Sequence, residues 1–147
     1  MLFIYDPDWA VAETEDVGQR SGNPPPRILL VEDRTPIVHL IHYLLRDQAD
    51  VEAVARVHEA LHRISQTTFD LFLIDIQLQG QRTGVDLLQE VRSQNNTTPA
   101  VALTAHALPG DRERLLDLGF DAYLAKPFSR EDLETTITQV LIPTARG

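Results

Sequence analysis

The chain has no cysteine among its 147 residues, and its 13 basic residues comprise twelve arginines and a single lysine, Lys126. The lack of cysteine excludes disulfide scaffolds, thiolate zinc sites and cysteine nucleophiles. No apolar run approaches the roughly 18 residues that a membrane-spanning helix needs, and residues 1–5 are neither basic enough nor long enough for a signal peptide. We therefore expect a cytoplasmic protein whose chemistry uses oxygen and nitrogen groups.

Basic residues are scarce as a group. The 22 acidic residues outnumber them and give a formal net charge of -9, which disfavours direct binding to nucleic acid or to an anionic membrane. Hydrophobic residues make up 43% of the chain, which is enough for one folded domain at this length. The single lysine stands out because its ammonium is a compact charge on a flexible stem, which the wide guanidinium of arginine cannot replace.

A run of three prolines divides the chain. Residues 1–26 hold five acidic residues and one arginine, and they end with the prolines at 24–26. This composition is typical of a flexible acidic extension, which serves either as a spacer or as an interaction arm. Regular hydrophobic patterns begin after it, so we predict one folded domain over residues 27–147.

Short apolar runs alternate with segments of helical periodicity across this domain. The runs occupy residues 28–31, 71–74, 100–103 and 122–124, with 51–55 as a weaker fifth. Because their apolar residues are continuous rather than alternating, they predict strands that are covered on both faces. Five successive strand–helix units predict an α/β fold, with a parallel sheet and helices on both of its faces.

Local signals predict where several helices begin and end. We expect Thr35, which precedes a proline, to cap the first helix and Gly119 to end the fourth. Ser129 and Asp132 are spaced as a capping box that opens the fifth helix. Leu40 belongs to the predicted apolar stripe of the first helix.

Polar side chains follow four of the five predicted strands. They are Glu32, Asp33, Asp75, Thr104 and Lys126. Because ligands of open parallel sheets bind at the carboxyl ends of the strands, we expect these side chains to converge. Three close carboxylates repel one another and favour a bound cation, and Mg²⁺ suits oxygen ligands best. Transfer of a phosphoryl group would also explain Thr104 and Lys126. Asp75 can attack phosphorus while the Thr104 hydroxyl and the Lys126 ammonium bind the oxygens of the transferred group.

These residues lie in segments that resemble the receiver domain of two-component response regulators, the CheY-like family. The matching segments are ILLVED at 28–33, LID at 73–75, ALTA at 102–105 and YLAKPF at 123–128. The resemblance covers nearly all of residues 27–147. It implies a doubly wound, flavodoxin-like (βα)5 fold whose five parallel strands are ordered 2-1-3-4-5.

The resemblance also implies a phosphoacceptor and its metal ligands. Asp75 would be the phosphoacceptor. Mg²⁺ would be bound by Asp33 directly, by Glu32 through water, and by Asp75 and the backbone carbonyl of Gln77. The side chain of Gln77 would tune the lifetime of the phosphoryl group.

A second set of implied residues would transmit the phosphorylation. Thr104 and Tyr123 would be the switch pair, in which the hydroxyl moves toward the phosphoryl group and the ring turns inward behind it. His106 would tune the phosphoryl lifetime together with the residue two after the phosphoacceptor. Pro127 would follow a cis peptide bond that aims Lys126.

The implied phosphodonor is a sensor histidine kinase or a histidine phosphotransfer protein. Phosphorylation would remodel the surface of the fourth helix, fifth strand and fifth helix, which would then bind an unidentified output protein. The chain ends a few residues after Ile142, so we expect no DNA-binding or enzymatic output module. The protein would be a switch and not an enzyme, apart from catalysing its own phosphotransfer and dephosphorylation. The resemblance leaves a homodimer open.

The loop after Asp75 departs from the family pattern. Family members commonly have a proline four residues after the phosphoacceptor and a glycine eight residues after it. Here those positions hold Gln79 and Thr83, and Gly84 comes one residue later. We expect a loop that is one residue longer, in which Gly80 supplies the turn.

Other functional hypotheses are weaker. A pseudo-receiver would keep the fold as a protein-interaction module without carrying phosphate. A phosphatase of the haloacid dehalogenase type would need an acid where this chain has Gln77. A zinc site is disfavoured because the spaced histidine pairs, at 39 and 42 and at 58 and 62, face away from the apolar stripes of their helices and have no third ligand nearby.

Overall fold

The structure, a computed structural model, describes residues 24–105 and 108–141, in which five strands alternate with five helices. The strands are β1 (Arg27–Val31), β2 (Asp50–Val54), β3 (Leu71–Asp75), β4 (Ala100–Thr104) and β5 (Ala122–Ala125). The helices are α1 (Thr35–Leu45), α2 (Val57–Gln66), α3 (Gly84–Ser93), α4 (Asp111–Asp117) and α5 (Arg130–Leu141). The predicted strand–helix order is confirmed. The predicted acidic extension falls almost entirely on residues 1–23, which lie outside the described residues.

All strand pairs are parallel, and the sheet order is β2-β1-β3-β4-β5. This is the order 2-1-3-4-5 that the family resemblance implies. From β1 the chain adds β2 on one side and then crosses to add β3 on the other side. The switch point therefore lies between β1 and β3, where ligands of doubly wound sheets bind.

Hydrophobic residues of the central strands are buried on both faces of the sheet. One face carries Ile28 and Leu30 of β1 under α1 and α5, and the other carries Leu29 and Val31 under α2, α3 and α4. All four side chains are fully buried, which explains why the run is continuously apolar. The two packed layers hold the strand ends, and the side chains that follow them, in fixed positions.

The first helix begins differently from the prediction. Thr35 is its first residue and not its cap, because Arg34 has the extended backbone of a cap residue and makes no side-chain capping bond. The backbone N–H of Arg34, just before the helix, donates to the Glu32 carboxylate at 3.2 Å. Leu40 is also not in the buried stripe, since it is 39% exposed while Ile41 is fully buried against the sheet.

Two other predicted helix ends are confirmed. Gly119 follows the end of α4 with a φ of +113°, a left-handed conformation that favours glycine. At the start of α5 the Ser129 N–H donates to the Asp132 carboxylate at 3.2 Å, and the Asp132 N–H donates to the Ser129 hydroxyl at 3.0 Å. None of the described helices is both long and apolar enough to cross a membrane.

A half-buried arginine, Arg92, connects the loops at the opposite end of the sheet. The guanidinium of Arg92 donates to the carbonyl oxygens of Asn96, Thr98 and Gly119 at 2.8–3.0 Å and to the carboxylate of Asp121 at 3.3 Å. Burial lowers the pKa of Arg92 from its usual value, although the nearby Asp121 opposes this. These contacts fix the approach to β4 and β5.

The loop between β3 and α3 depends on two glycines. Gly80 has a φ of +112°, so it supplies the left-handed turn that the sequence predicts there. Gly84 brings the first turn of α3 against the end of β3. A Cβ on Gly84 would overlap the main-chain oxygen of Asp75 and would lie only 2.7 Å from Ile74 Cγ2.

Replacing Gly84 with alanine should therefore destabilise the fold. We expect Gly84→Ala to lower the free energy of unfolding by about 1–3 kcal/mol, because the helix must move away from the Asp75 backbone. Urea unfolding followed by circular dichroism measures the change. Gln89→Ala, at an exposed position of the same helix, is the control and should change it by less than about 0.5 kcal/mol. Equal effects of the two variants would contradict the close approach.

Candidate functional site

The strand ends bring the predicted polar residues to one edge of the sheet. Glu32 directly follows β1, Asp75 ends β3, Thr104 ends β4 and Lys126 directly follows β5. The register aligns Val31 with Ile74 and Thr104 with Ala125, and similarly Asp75 with Leu103. The side chains that follow these positions therefore project from the same end of neighbouring strands, as predicted.

Three acidic residues meet at the switch point. One carboxylate oxygen from each of Glu32, Asp33 and Asp75 lies within 4.8 Å of the other two, and no other cluster of three or more acidic or histidine ligands occurs in residues 24–105 and 108–141. Glu32 and Asp75 are each only 2% exposed, whereas Asp33 is half-buried. Glu32 and Asp75 thus form the buried part of the cluster, and Asp33 lies at its opening.

The single lysine of the chain lies between the two buried acids. Lys126 Nζ is 2.9 Å from Glu32 Oε1 and 3.4 Å from Asp75 Oδ2, and its side chain is only 9% exposed. A slender stem with a point charge fits this narrow space, whereas the planar fork of arginine needs more room. The unusual lysine is therefore part of the candidate site.

Backbone amides orient each of the three carboxylates. The Gln77 N–H donates to Asp75 Oδ1 at 2.9 Å, and the Gln79 N–H donates to Asp33 Oδ2 at 2.8 Å. The Arg34 N–H donates to Glu32 Oε2, as described above. Sequence reasoning missed these donors, since every non-proline residue carries an N–H and only the fold decides where it points.

Burial raises the pKa of Glu32 above its usual value, and the nearby Asp75 adds to the increase. The hydrogen bond from Lys126 acts in the opposite direction but does not cancel the effect of burial. The ionised form of Glu32 is therefore less favoured here than in water, and an additional cation close to the cluster would stabilise it.

The ligand chemistry of the cluster suits a hard divalent cation. Its three carboxylates offer only oxygen, and the chain has no cysteine. Mg²⁺ prefers such ligands and retains several waters, so it does not need a closed protein cage. Glu32, Asp33 and Asp75 are the residues that could hold it. The backbone carbonyl of Gln77 remains a predicted further ligand.

Thr104 and Tyr123 are placed on one face of the sheet. Tyr123 is paired with Ala102, two residues before Thr104, and it packs against the same core as Ala102. Side chains two residues apart on a strand point to the same face. Thr104 is 1% exposed and Tyr123 is half-buried, so the two are diagonal neighbours beside the acidic cluster.

Three further predictions concern the peptide bond before Pro127, the role of His106 and the spaced histidine pairs. The peptide bond between Lys126 and Pro127 is cis, as expected. His106 lies outside the described residues, so its role stays a prediction. The four histidines at 39, 42, 58 and 62 are exposed, on helices that pack on opposite faces of the sheet, which agrees with the rejection of a zinc site.

Comparison with known proteins agrees with this geometry. Residues 28–138 match the family model described as the response regulator receiver domain. The chain belongs to the response regulator receiver domain family. Its receiver fold thus accounts for a sheet whose polar residues gather at the β1–β3 switch point.

Several relatives contain a similar receiver domain. The sensor protein GacS of Pseudomonas syringae pv. syringae is 35% identical over 83% of this chain, and the two-component response regulator PhoP of Pseudomonas aeruginosa is 38% identical over 78%. The aligned part covers 14% of GacS and 51% of PhoP. The chain therefore spans about half, or much less, of the length of these curated relatives.

Solved receiver structures are similar as well. The receiver domain of the sensor histidine kinase PA1611 from Pseudomonas aeruginosa PAO1, solved with a magnesium ion coordinated in its active site cleft, is 36% identical, with a TM-score of 0.72 over 80% of this chain and 98% of that one. The chemotaxis response regulator CheY4 of Vibrio cholerae is 29% identical, with a TM-score of 0.74 over 80% of this chain and all of its own.

Removing the Lys126 ammonium should destabilise the metal-free receiver domain. We expect Lys126→Met to lower the free energy of unfolding by about 3 kcal/mol, because it leaves two buried acids without their cation. In a Glu32→Gln background the same substitution should cost clearly less, since one of those acids is then neutral. Urea unfolding of the four proteins in EDTA measures both costs.

An exposed ion pair provides the matched control for this cycle. Arg130 lies 3.8 Å from Glu134 on α5 with half of its side chain exposed, so Arg130→Met should cost less than about 1 kcal/mol. If Lys126→Met costs the same with Glu32 as with Gln at position 32, Lys126 does not hold the acidic cluster together.

Proposed function

We propose that this receiver domain accepts a phosphoryl group on Asp75 in a Mg²⁺-dependent reaction and signals through the resulting change in its surface. The observation that carries the proposal is the buried cluster in which Lys126 Nζ contacts both Glu32 and Asp75. A structural salt bridge would need one acid for one lysine. Here two buried acids and a third at the opening exceed the charge of the one lysine that contacts them, which favours a site for a cation and a phosphoryl group.

The transfer step uses the Asp75 carboxylate as the nucleophile. A carboxylate oxygen attacks phosphorus, the new O–P bond forms, and the bond from phosphorus to the donor breaks with its electron pair going to the donor atom. With a phosphohistidine donor the leaving atom is an imidazole nitrogen, and with an acyl phosphate it is a carboxylate oxygen. The hydrogen bond from the Gln77 N–H to Asp75 Oδ1 holds one oxygen in place, which leaves Oδ2 for the attack.

Lys126 and Thr104 would bind the transferred oxygens. The Lys126 ammonium is 3.4 Å from Asp75 Oδ2, so it is close enough to contact a negatively charged oxygen of the phosphoryl group that bonds there. Thr104 ends the neighbouring strand, and its hydroxyl can donate to a phosphoryl oxygen. When bound at Glu32, Asp33 and Asp75, Mg²⁺ would neutralise the charge between the acids and the phosphoryl group.

The signal would travel along one face of the sheet. If the Thr104 hydroxyl turns toward the phosphoryl group, it vacates space beside the half-buried ring of Tyr123. The ring could then move inward and change the surface of α4, β5 and α5. Phosphorylation in this view shifts an equilibrium between two arrangements of the same elements. An output protein that prefers one arrangement would read the state of Asp75.

The proposed donor is a sensor histidine kinase or a histidine phosphotransfer protein in the cytoplasm. Relatives that are named as sensor proteins or kinases and as a two-component response regulator support a donor of this kind. We propose that the chain works as a single receiver domain with Gln77 and His106 tuning the phosphoryl lifetime. The alternative is a pseudo-receiver, which would bind partners without carrying phosphate.

Intact mass spectrometry after incubation with acetyl phosphate tests the proposal. We expect one added phosphoryl group that requires Mg²⁺ and is removed by hydroxylamine, as an acyl phosphate should be. Asp75→Asn should remain unlabelled because its amide is not a nucleophile. Asp70→Asn, at an exposed acid before β3, is the control and should be labelled like the unmodified chain. An absence of labelling in the folded, Mg²⁺-loaded protein would favour the pseudo-receiver.

A further inference from the structure

A groove opens beside the acidic cluster on the side of β2. It has a volume of about 330 Å³ and is lined by Asp33, Arg34, Ala55, Arg56 and Gln79. Asp33 is shared with the acidic cluster, so a molecule in the groove would lie next to the proposed phosphoryl site. The groove collects residues from the loops after β1, β2 and β3, which all end at this edge of the sheet.

Two arginines in this groove have no acidic partner. The structure describes ten arginines, and seven of them form ion pairs with acids. Within residues 24–105 and 108–141, the side chains of Arg34, Arg56 and Arg112 form none. Two of these three line the same small groove. Acidic residues are plentiful in a chain with a net charge of -9. The presence of two arginines without an acidic partner in one groove therefore calls for an explanation.

The backbone of both arginines is held while the side chains remain available. The Arg34 N–H donates to Glu32 Oε2 at 3.2 Å, and the Arg56 N–H donates to Glu59 Oε1 at 3.0 Å. Arg56 Nη1 lies 3.8 Å from where a Cβ on Gly80 would stand. The side chain of Arg56 thus extends across the groove, from the loop after β2 to the loop that follows Asp75.

We propose that Arg34 and Arg56 form a second anion subsite, which binds a distal phosphate or carboxylate of the phosphodonor. This inference rests on the proposed function of Asp75 and adds a determinant of donor choice. The Asp33 carboxylate is held by the Gln79 N–H at 2.8 Å, and a cation at the cluster would offset its charge. The two guanidinium groups then leave the groove positive, and each offers several N–H donors to an oxyanion.

Donors of different charge test the subsite directly. We compare the rates at which low concentrations of 3-phosphoglyceroyl phosphate and butanoyl phosphate label Asp75 at low ionic strength. Both are acyl phosphates, but only the first carries a second anionic group. We expect it to react about threefold to tenfold faster, as two exposed charge contacts allow. Added salt should reduce this ratio.

Variants assign the preference to the two arginines. Arg34→Gln/Arg56→Gln should bring the ratio of the two rates close to one. The matched control, Arg112→Gln/Arg130→Gln, removes the same charge from α4 and α5 and should keep the ratio of the unmodified protein. If the groove double variant keeps the ratio as well, the arginines only balance the acids of the cluster and the proposal is wrong.

A binding measurement separates this inference from the proposed function. Titration with inorganic phosphate, followed by the side-chain Nε–Hε NMR signals of the arginines, should give saturable shifts for Arg34 and Arg56 and none for Arg112. A parallel titration with a hexaglutamate peptide distinguishes a small phosphate-bearing donor from the acidic side chains of a donor protein. Tighter phosphate binding supports the first source, and tighter peptide binding supports the second. Shifts that do not saturate in either titration would overturn the subsite, whether or not Asp75 is labelled.

Discussion

The contact of one ammonium with two buried carboxylates is the constraint on which the rest of this structure depends. Lys126 Nζ reaches Glu32 and Asp75 from the end of β5, across the end of β4. Desolvation disfavours an isolated charge at a buried position, and the ammonium offsets part of this cost for both carboxylates. The positions of β1, β3 and β5 relative to one another are therefore set by electrostatics as well as by packing.

The same contact leaves the acidic cluster with excess negative charge, because one lysine cannot balance three acids. Burial raises the pKa of Glu32, and the hydrogen bond from Lys126 does not fully offset this increase. A divalent cation and a dianionic phosphoryl group could enter such a site together, since each neutralises part of the charge that the other meets.

The sequence predicts much of this arrangement because strand burial and strand ends leave direct marks in it. Continuous apolar runs such as 28–31 indicate strands packed on both faces, and the polar residues after them indicate the functional edge. The predicted cap at Thr35 is wrong because the helix begins at Thr35 itself, which leaves the cap position to Arg34. The groove with Arg34 and Arg56 was not predictable, since an unpaired arginine is defined by neighbours that only the fold brings together.

Fluorine NMR of beryllofluoride binding tests the central claim most directly, because this phosphoryl mimic needs both the nucleophilic carboxylate and its cation. In the presence of Mg²⁺ the account predicts protein-bound fluorine signals that disappear on removal of the cation and are absent from Asp75→Asn. Lys126→Met should weaken or abolish the same signals, since it removes a ligand to the fluorides. Bound signals that persist unchanged in Asp75→Asn, or none at all in the folded Mg²⁺-loaded protein, would contradict the assignment of this cluster as a phosphoryl-accepting site.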